Sequence, residues 1–151
     1  MFKHYRQIKN NFCTFFAISN WLMLDILRTH KTVDLSPWQL IKVFFKKRGY
    51  LQVFRSLFWS FHDIIAVQPE ITVIIDDKEV TVRLRELQAV EYKKTIGKYS
   101  MLATIGSHAV VVASEMGEMV TIVDSQSKRQ FRTVWKKTLG NKFYIIKYEI
   151  L

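Results

Sequence analysis

Apolar and polar positions divide the chain into two halves with different periods. Residues 1–11 are polar and basic and read as an irregular arm. A nearly continuous apolar run follows from Phe12 to Leu27, interrupted by Asn20 and Asp25. It predicts a helix with Asn11 as its N-cap, ending near Thr29 or His30. A helix apolar on almost every side belongs at the centre of a fold, covered by other elements.

Ser36-Pro37-Trp38-Gln39 is a second helix start. Ser36 can cap, Pro37 suits the first helical position and Gln39 would complete a capping box. Leu40, Ile41, Phe44 and Phe45 form its apolar face, and Gly49 provides the stop. Val53, Phe54, Leu57, Phe58, Phe61 and Ile65 recur at helical spacing and predict a third helix over 51–66, closed by Pro69. Its aromatics read as core packing in preference to a ligand-binding stripe.

From Ile71 the period shortens to that of strands. Residues 71–75 and 80–84 alternate around Asp76-Asp77-Lys78-Glu79 and predict a hairpin. The adjacent carboxylates Asp76 and Asp77 read as solvated turn residues, not as a metal or acid–base pair. Residues 85–95 read as a short helix or irregular connection. Strands are expected at 99–105, 108–114, 118–124 and 143–151, with a short helix or strand around Trp135. Helices first and an antiparallel sheet second make an α+β fold, read as one domain over 1–151.

Hydrophobic residues make up 49% of the 151, which excludes a disordered chain. A basic start before an apolar run raises the question of a signal peptide. The polar interruptions and the lack of a small-residue cleavage site argue against one. No apolar stretch is long enough for a membrane-spanning helix. The formal net charge of +10 admits an acidic partner or nucleic acid, though no binding motif organises it. A non-enzymatic basic module is therefore a competing reading. A single cysteine allows no internal disulfide and is compatible with a reducing, cytoplasmic compartment. The four histidines show no metal-ligand spacing, so neither metal nor cofactor is expected.

That single cysteine, Cys13, stands at the start of the central helix, where the helix dipole and free N–H groups favour a thiolate. Alone it reads as a small buried hydrophobe in preference to a nucleophile. A three-residue loop at Glu115-Met116-Gly117 would pair Ser114 with Glu118 and set His108 directly opposite Asp124. A two-residue loop at Met116-Gly117 would oppose His108 with Ser125. With the three-residue loop, Val110, Val112, Val120 and Ile122 would share the face of His108 and receive the Cys13 helix. A thiol, an imidazole and a carboxylate could then meet, as nucleophile, base and orienting group do.

The order of Gln7, Cys13 at a helix start, and a late His108 and Asp124 on neighbouring strands is similar to papain-like cysteine peptidases. The nearest pattern is the bacteriocin-processing, C39-like type. The stretches that carry it are Gln7-Ile8-Lys9-Asn10-Asn11-Phe12-Cys13, His108-Ala109-Val110-Val111-Val112 and Val120-Thr121-Ile122-Val123-Asp124. As an architecture it covers residues 7–151. It implies a cysteine hydrolase, a protease acting on a protein or peptide through a thioester. Cys13 would be the nucleophile, His108 the base and acid, and Asp124 its orienting partner. Gln7 and the Cys13 N–H would hold the oxyanion. Phe12, Thr14 and Ser125 depart from the Asp, Gly and Pro common at those places. Asp124-Ser125-Gln126 also looks like papain-fold effector domains, which implies deamidation or acyl transfer as the alternative.

Overall fold

In a computed structural model, the described residues are 3–7, 12–49 and 59–151. The first helix, α1 (Cys13–Ile26), lies against the sheet and is buried along almost its whole length. Phe15, Phe16, Ile18, Leu22 and Met23 are wholly enclosed, as the unbroken apolar run requires. The polar interruption at Asp25 is satisfied: its carboxylate accepts from Tyr148 Oη at 2.7 Å and pairs with Arg28. Trp21 Nε1 donates to the Ser100 carbonyl at 2.7 Å, a second polar tie between helix and sheet. Asn11 lies outside the described residues. The residue preceding α1 is Phe12, whose side chain caps nothing.

A two-residue strand β1 (Val33–Asp34) comes next, followed by α2 (Pro37–Arg48). Pro37 takes the first helical position and Gly49 ends the helix with φ +87°. The capping box expected at Ser36 is absent, because Gln39 spends its side chain elsewhere: its Oε1 accepts from the Thr72 N–H. A capping box does form at α3 (Phe61–Ala66), between Ser60 and Asp63. Of the third helix expected over 51–66, residues 51–58 lie outside the described part. The observed helix begins at Phe61.

The rest is sheet: β2 (Glu70–Ile75), β3 (Lys78–Val90), β4 (Met101–Ile105), β5 (His108–Met116), β6 (Met119–Val123), β7 (Arg132–Trp135) and β8 (Phe143–Ile150). A short helix α4 (Tyr92–Thr95) separates β3 from β4. Together with β1 these make an eight-stranded antiparallel curled sheet in the order β1-β2-β3-β8-β4-β5-β6-β7. The fold is α+β, with N-terminal helices packed on the sheet. Of the segment 85–95, read as a short helix or irregular connection, residues 85–90 instead continue β3, pairing with β8 through a bulge after Leu84. β1 was not anticipated; two residues carry no readable period.

The β5–β6 hairpin differs from expectation. Met116 pairs with Met119, so the loop is the two residues Gly117-Glu118. Gly117, φ +60°, occupies the first central position, where a type II′ turn demands positive φ. Ser114 consequently opposes Thr121, not Glu118. A bulge at Ala113 then shifts the register, and Val111 opposes Val123. His108 is therefore not directly opposite Asp124.

The face assignment changes as well. Ala109, Val111 and Val123 join Cys13 and the rest of α1 in the main core. Val110, Val112, Val120 and Ile122 turn the other way, into a second cluster with Met101 and Ala103, not toward α1. Tyr92, Ile96 and Leu139 pack against that second cluster. Strands β4–β6 are thus buried on both sides, which is why Val110-Val111-Val112 has no polar alternation.

Candidate active site

Three elements converge at the N-terminal end of α1: the first helical turn, the start of β5, and the loop after β6. Cys13 is the first residue of α1 and is 4% exposed. First-turn N–H groups have no partner within a helix, so its amide points outward as a donor. Helix and strand meet here because Ala109 and Val111 pack beneath α1. A second tie is Thr14, whose Oγ1 donates to the Trp59 carbonyl at 2.7 Å.

His108 opens β5 directly after the Gly106-Ser107 turn, where Gly106 has φ +60°. Its Nε2 lies 2.6 Å from Asp124 Oδ1. Nε2–H donates this hydrogen bond and the Asp124 carboxylate accepts it. The Cys13 thiol lines the same depression as the imidazole, and each group shifts the titration of the other.

Asp124 is 4% exposed and is the most heavily partnered group of the site. Oδ1 also accepts from the Gln126 N–H at 2.9 Å. Oδ2 accepts from Arg132 Nε at 3.0 Å and Nη2 at 2.8 Å. Burial alone would push this carboxyl up. The His108 hydrogen bond, the Gln126 amide and the Arg132 guanidinium outweigh burial and hold it well below the usual carboxylate range.

The two titratable groups shift in opposite directions. Burial pushes the Cys13 thiol up, but the His108 hydrogen bond, the Ala109 N–H and the His108 charge bring it below its ordinary 9.0. His108 is pushed up from 6.5 to about 9, first by Asp124 and then by Cys13, against the opposing effect of burial. Both shifts have the sign that a thiolate beside an imidazolium would produce.

Gln7, the fourth expected site residue, is buried beside Ser125. Its N–H donates to the Ser125 carbonyl at 2.7 Å, and Ser125 Oγ donates to Gln7 Oε1 at 2.8 Å. His4 Nε2 lies 2.9 Å from the Ser127 carbonyl, so the N-terminal arm is bound at two points to the loop bearing Asp124. The depression beside the sulfur, about 200 Å³, is lined by Cys13, Ser107, His108 and Gln126. Gln7 is not among these residues.

Arg132 is not singled out by the sequence, and Ser125 and Gln126 enter there for the resemblance, not as partners of Gln7 and Asp124. Arg132 reaches the site only because β7 pairs with β6, setting it opposite Ile122. One signal was available: Asp124 is followed by Ser-Gln-Ser, residues that favour turns in which a carboxylate takes a backbone N–H two positions on.

A second, predominantly apolar cavity of about 190 Å³ adjoins the site and shares Ser107 with the depression. Among the described residues no cluster of three or more His, Cys, Asp or Glu could hold a metal ion. Nor is any described helix long and apolar enough to cross a membrane. No family model, curated protein or solved structure matches this chain.

Proposed function

We propose that the protein is a cysteine hydrolase of the papain-like kind, a protease acting through a thioester at Cys13. The observation that carries this reading is His108 held 2.6 Å from buried Asp124 beside the Cys13 thiol, with the thiol pKa drawn below its ordinary value and the imidazole pKa raised. A buried structural cysteine has no need of a low thiol pKa or of an imidazole fixed by a buried carboxylate.

In this reading the Cys13 thiolate attacks the carbonyl carbon of a peptide bond, and a carbon–sulfur bond forms. The carbonyl π electrons move onto oxygen. Collapse of that oxyanion breaks the C–N bond, and the departing nitrogen takes the proton from His108. The acyl group remains on sulfur as a thioester. Neutral His108 then takes a proton from water as the water oxygen attacks the thioester. Breaking the C–S bond releases the acid and restores the thiolate.

The oxyanion is assigned to the Cys13 N–H together with the Gln7 amide. Ser125 occupies Gln7 Oε1, which makes Nε2 the donating end of that side chain. Asp124 takes no proton; it orients His108 and stabilises its charged form.

The test is incubation of the protein and Cys13→Ala with a mixed peptide library, followed by mass spectrometry. New peptide termini that require Cys13 support hydrolysis of peptide bonds. Gain of about one dalton at Gln or Asn without chain cleavage would assign the same thioester chemistry to deamidation instead. Identical products with both proteins would remove the enzymatic reading.

A further inference from the structure

We propose that the apolar cavity beside Cys13 is a substrate side-chain slot that takes a ring-sized apolar residue flanked by a carboxylate. This deepens, and rests on, the reading of Cys13 as a nucleophile.

Position is the first ground. The cavity touches Thr14, the neighbour of Cys13, and Ala109, the neighbour of His108, and it opens beside the depression at Ser107. A chain whose carbonyl sits over the sulfur can therefore place an adjacent side chain there.

Size and lining are the second ground. Phe61, Tyr144 and Ala109 contribute apolar surface to a space of about 190 Å³. An apolar cavity of about 150 Å³ accommodates a benzene ring, so a phenyl or leucyl group fits and a bare glycine leaves the slot empty.

Charge is the third ground. Lys142 and His62 line the same cavity, and none of its lining residues is acidic. Lys142 is exposed and stands one residue before β8, whose Tyr144 forms part of the wall. The His62 ring packs edge-on against Tyr144, with centroids 5.2 Å apart, which fixes the imidazole at this mouth. A carboxylate next to the docked apolar residue meets positive charge, whereas a lysine there meets repulsion.

The experiment compares dipeptidyl vinyl sulfones carrying Phe-Asp, Phe-Asn, Phe-Lys and Gly-Gly, each in both orders. Labelling of Cys13 is followed by intact mass, with iodoacetamide as the reagent that needs no slot. Phe-Asp is expected to label fastest in one order, about threefold or more above Phe-Asn. Gly-Gly should be slowest. In Lys142→Gln the Asp-over-Asn ratio should fall toward one, and in Lys142→Glu the preference should pass to Phe-Lys. Rapid iodoacetamide labelling with equal rates for all four peptides would overturn the slot and leave the nucleophile. An Asp-over-Asn ratio unchanged by both substitutions would overturn the role of Lys142. Slow iodoacetamide labelling would remove the nucleophile and the slot with it.

Discussion

His108 Nε2 and Asp124 Oδ1 are 2.6 Å apart although their residues are not directly opposed across the β5–β6 ladder. Continuing the Val111–Val123 register sets Asp124 across from Val110, so the imidazole and carboxylate are diagonal neighbours. Long side chains span such a diagonal. The contact therefore depends on groups that aim the two side chains at each other: the Gln126 N–H and Arg132 on one side, Cys13 on the other.

Replacing Asp124 by Asn should disable that alignment while preserving shape. The imidazole loses the negative partner that does most to raise it, and the ion pair with sulfur weakens. Peptide hydrolysis is expected to fall on the order of 10²–10⁴-fold, measured as kcat/KM. A change of less than about threefold would contradict the role given to Asp124.

Arg132 tunes the same carboxylate. Its guanidinium neutralises part of the Asp124 charge that would otherwise stabilise imidazolium. In Arg132→Gln the proton on His108 should be held more tightly, so the alkaline limb of the pH–rate profile, near pH 9 in the wild type, should move upward. Arg132→Lys should restore the wild-type limb in part. A merely structural Arg132 would lower stability without moving the limb.

The same groups link stability to pH. Asp124, held below its ordinary 3.8, contributes stability that is complete above that value and lost as pH falls through its depressed folded value. His108, raised from 6.5 to about 9, contributes stability that is complete below 6.5 and lost as pH rises through about 9. Urea titrations across pH should show both losses, and Asp124→Ala should flatten both.

Ser125→Ala removes the hydroxyl that engages buried Gln7 Oε1. A cost of about 1–3 kcal/mol is expected for leaving that acceptor without its donor, measured by urea denaturation. Activity should fall as well, because Gln7 and the loop bearing Asp124 are joined at this point.

The α+β order could be read from the sequence because apolar periods are local. The run from Phe12 to Leu27 requires a central helix wherever it packs. The position of the β5–β6 turn could not. Gly117 does hold the positive φ, but a two-residue loop and a bulge at Ala113 reset the register, and both are chosen by pairing across the sheet. The face that receives α1 was misassigned for a related reason. Val110-Val111-Val112 is apolar on both sides, so its composition does not reveal which side carries Cys13. His108 and Asp124 were paired in the sequence by a three-residue loop that does not form, and the bulge brings the same two side chains together on a diagonal. Arg132 was missed because arginine is common and its approach depends on β7.

The rate at which iodoacetamide labels Cys13 near pH 6, in the wild type and in His108→Ala, tests the thiolate–imidazolium pair most directly. At that pH an ordinary thiol is almost entirely protonated, whereas the Cys13 thiol is lowered by His108. The wild type should be labelled well above the rate of a free thiol, and His108→Ala should lose that advantage. Slow labelling of the native protein, with rapid labelling only after unfolding, would contradict it and leave Cys13 a buried structural residue.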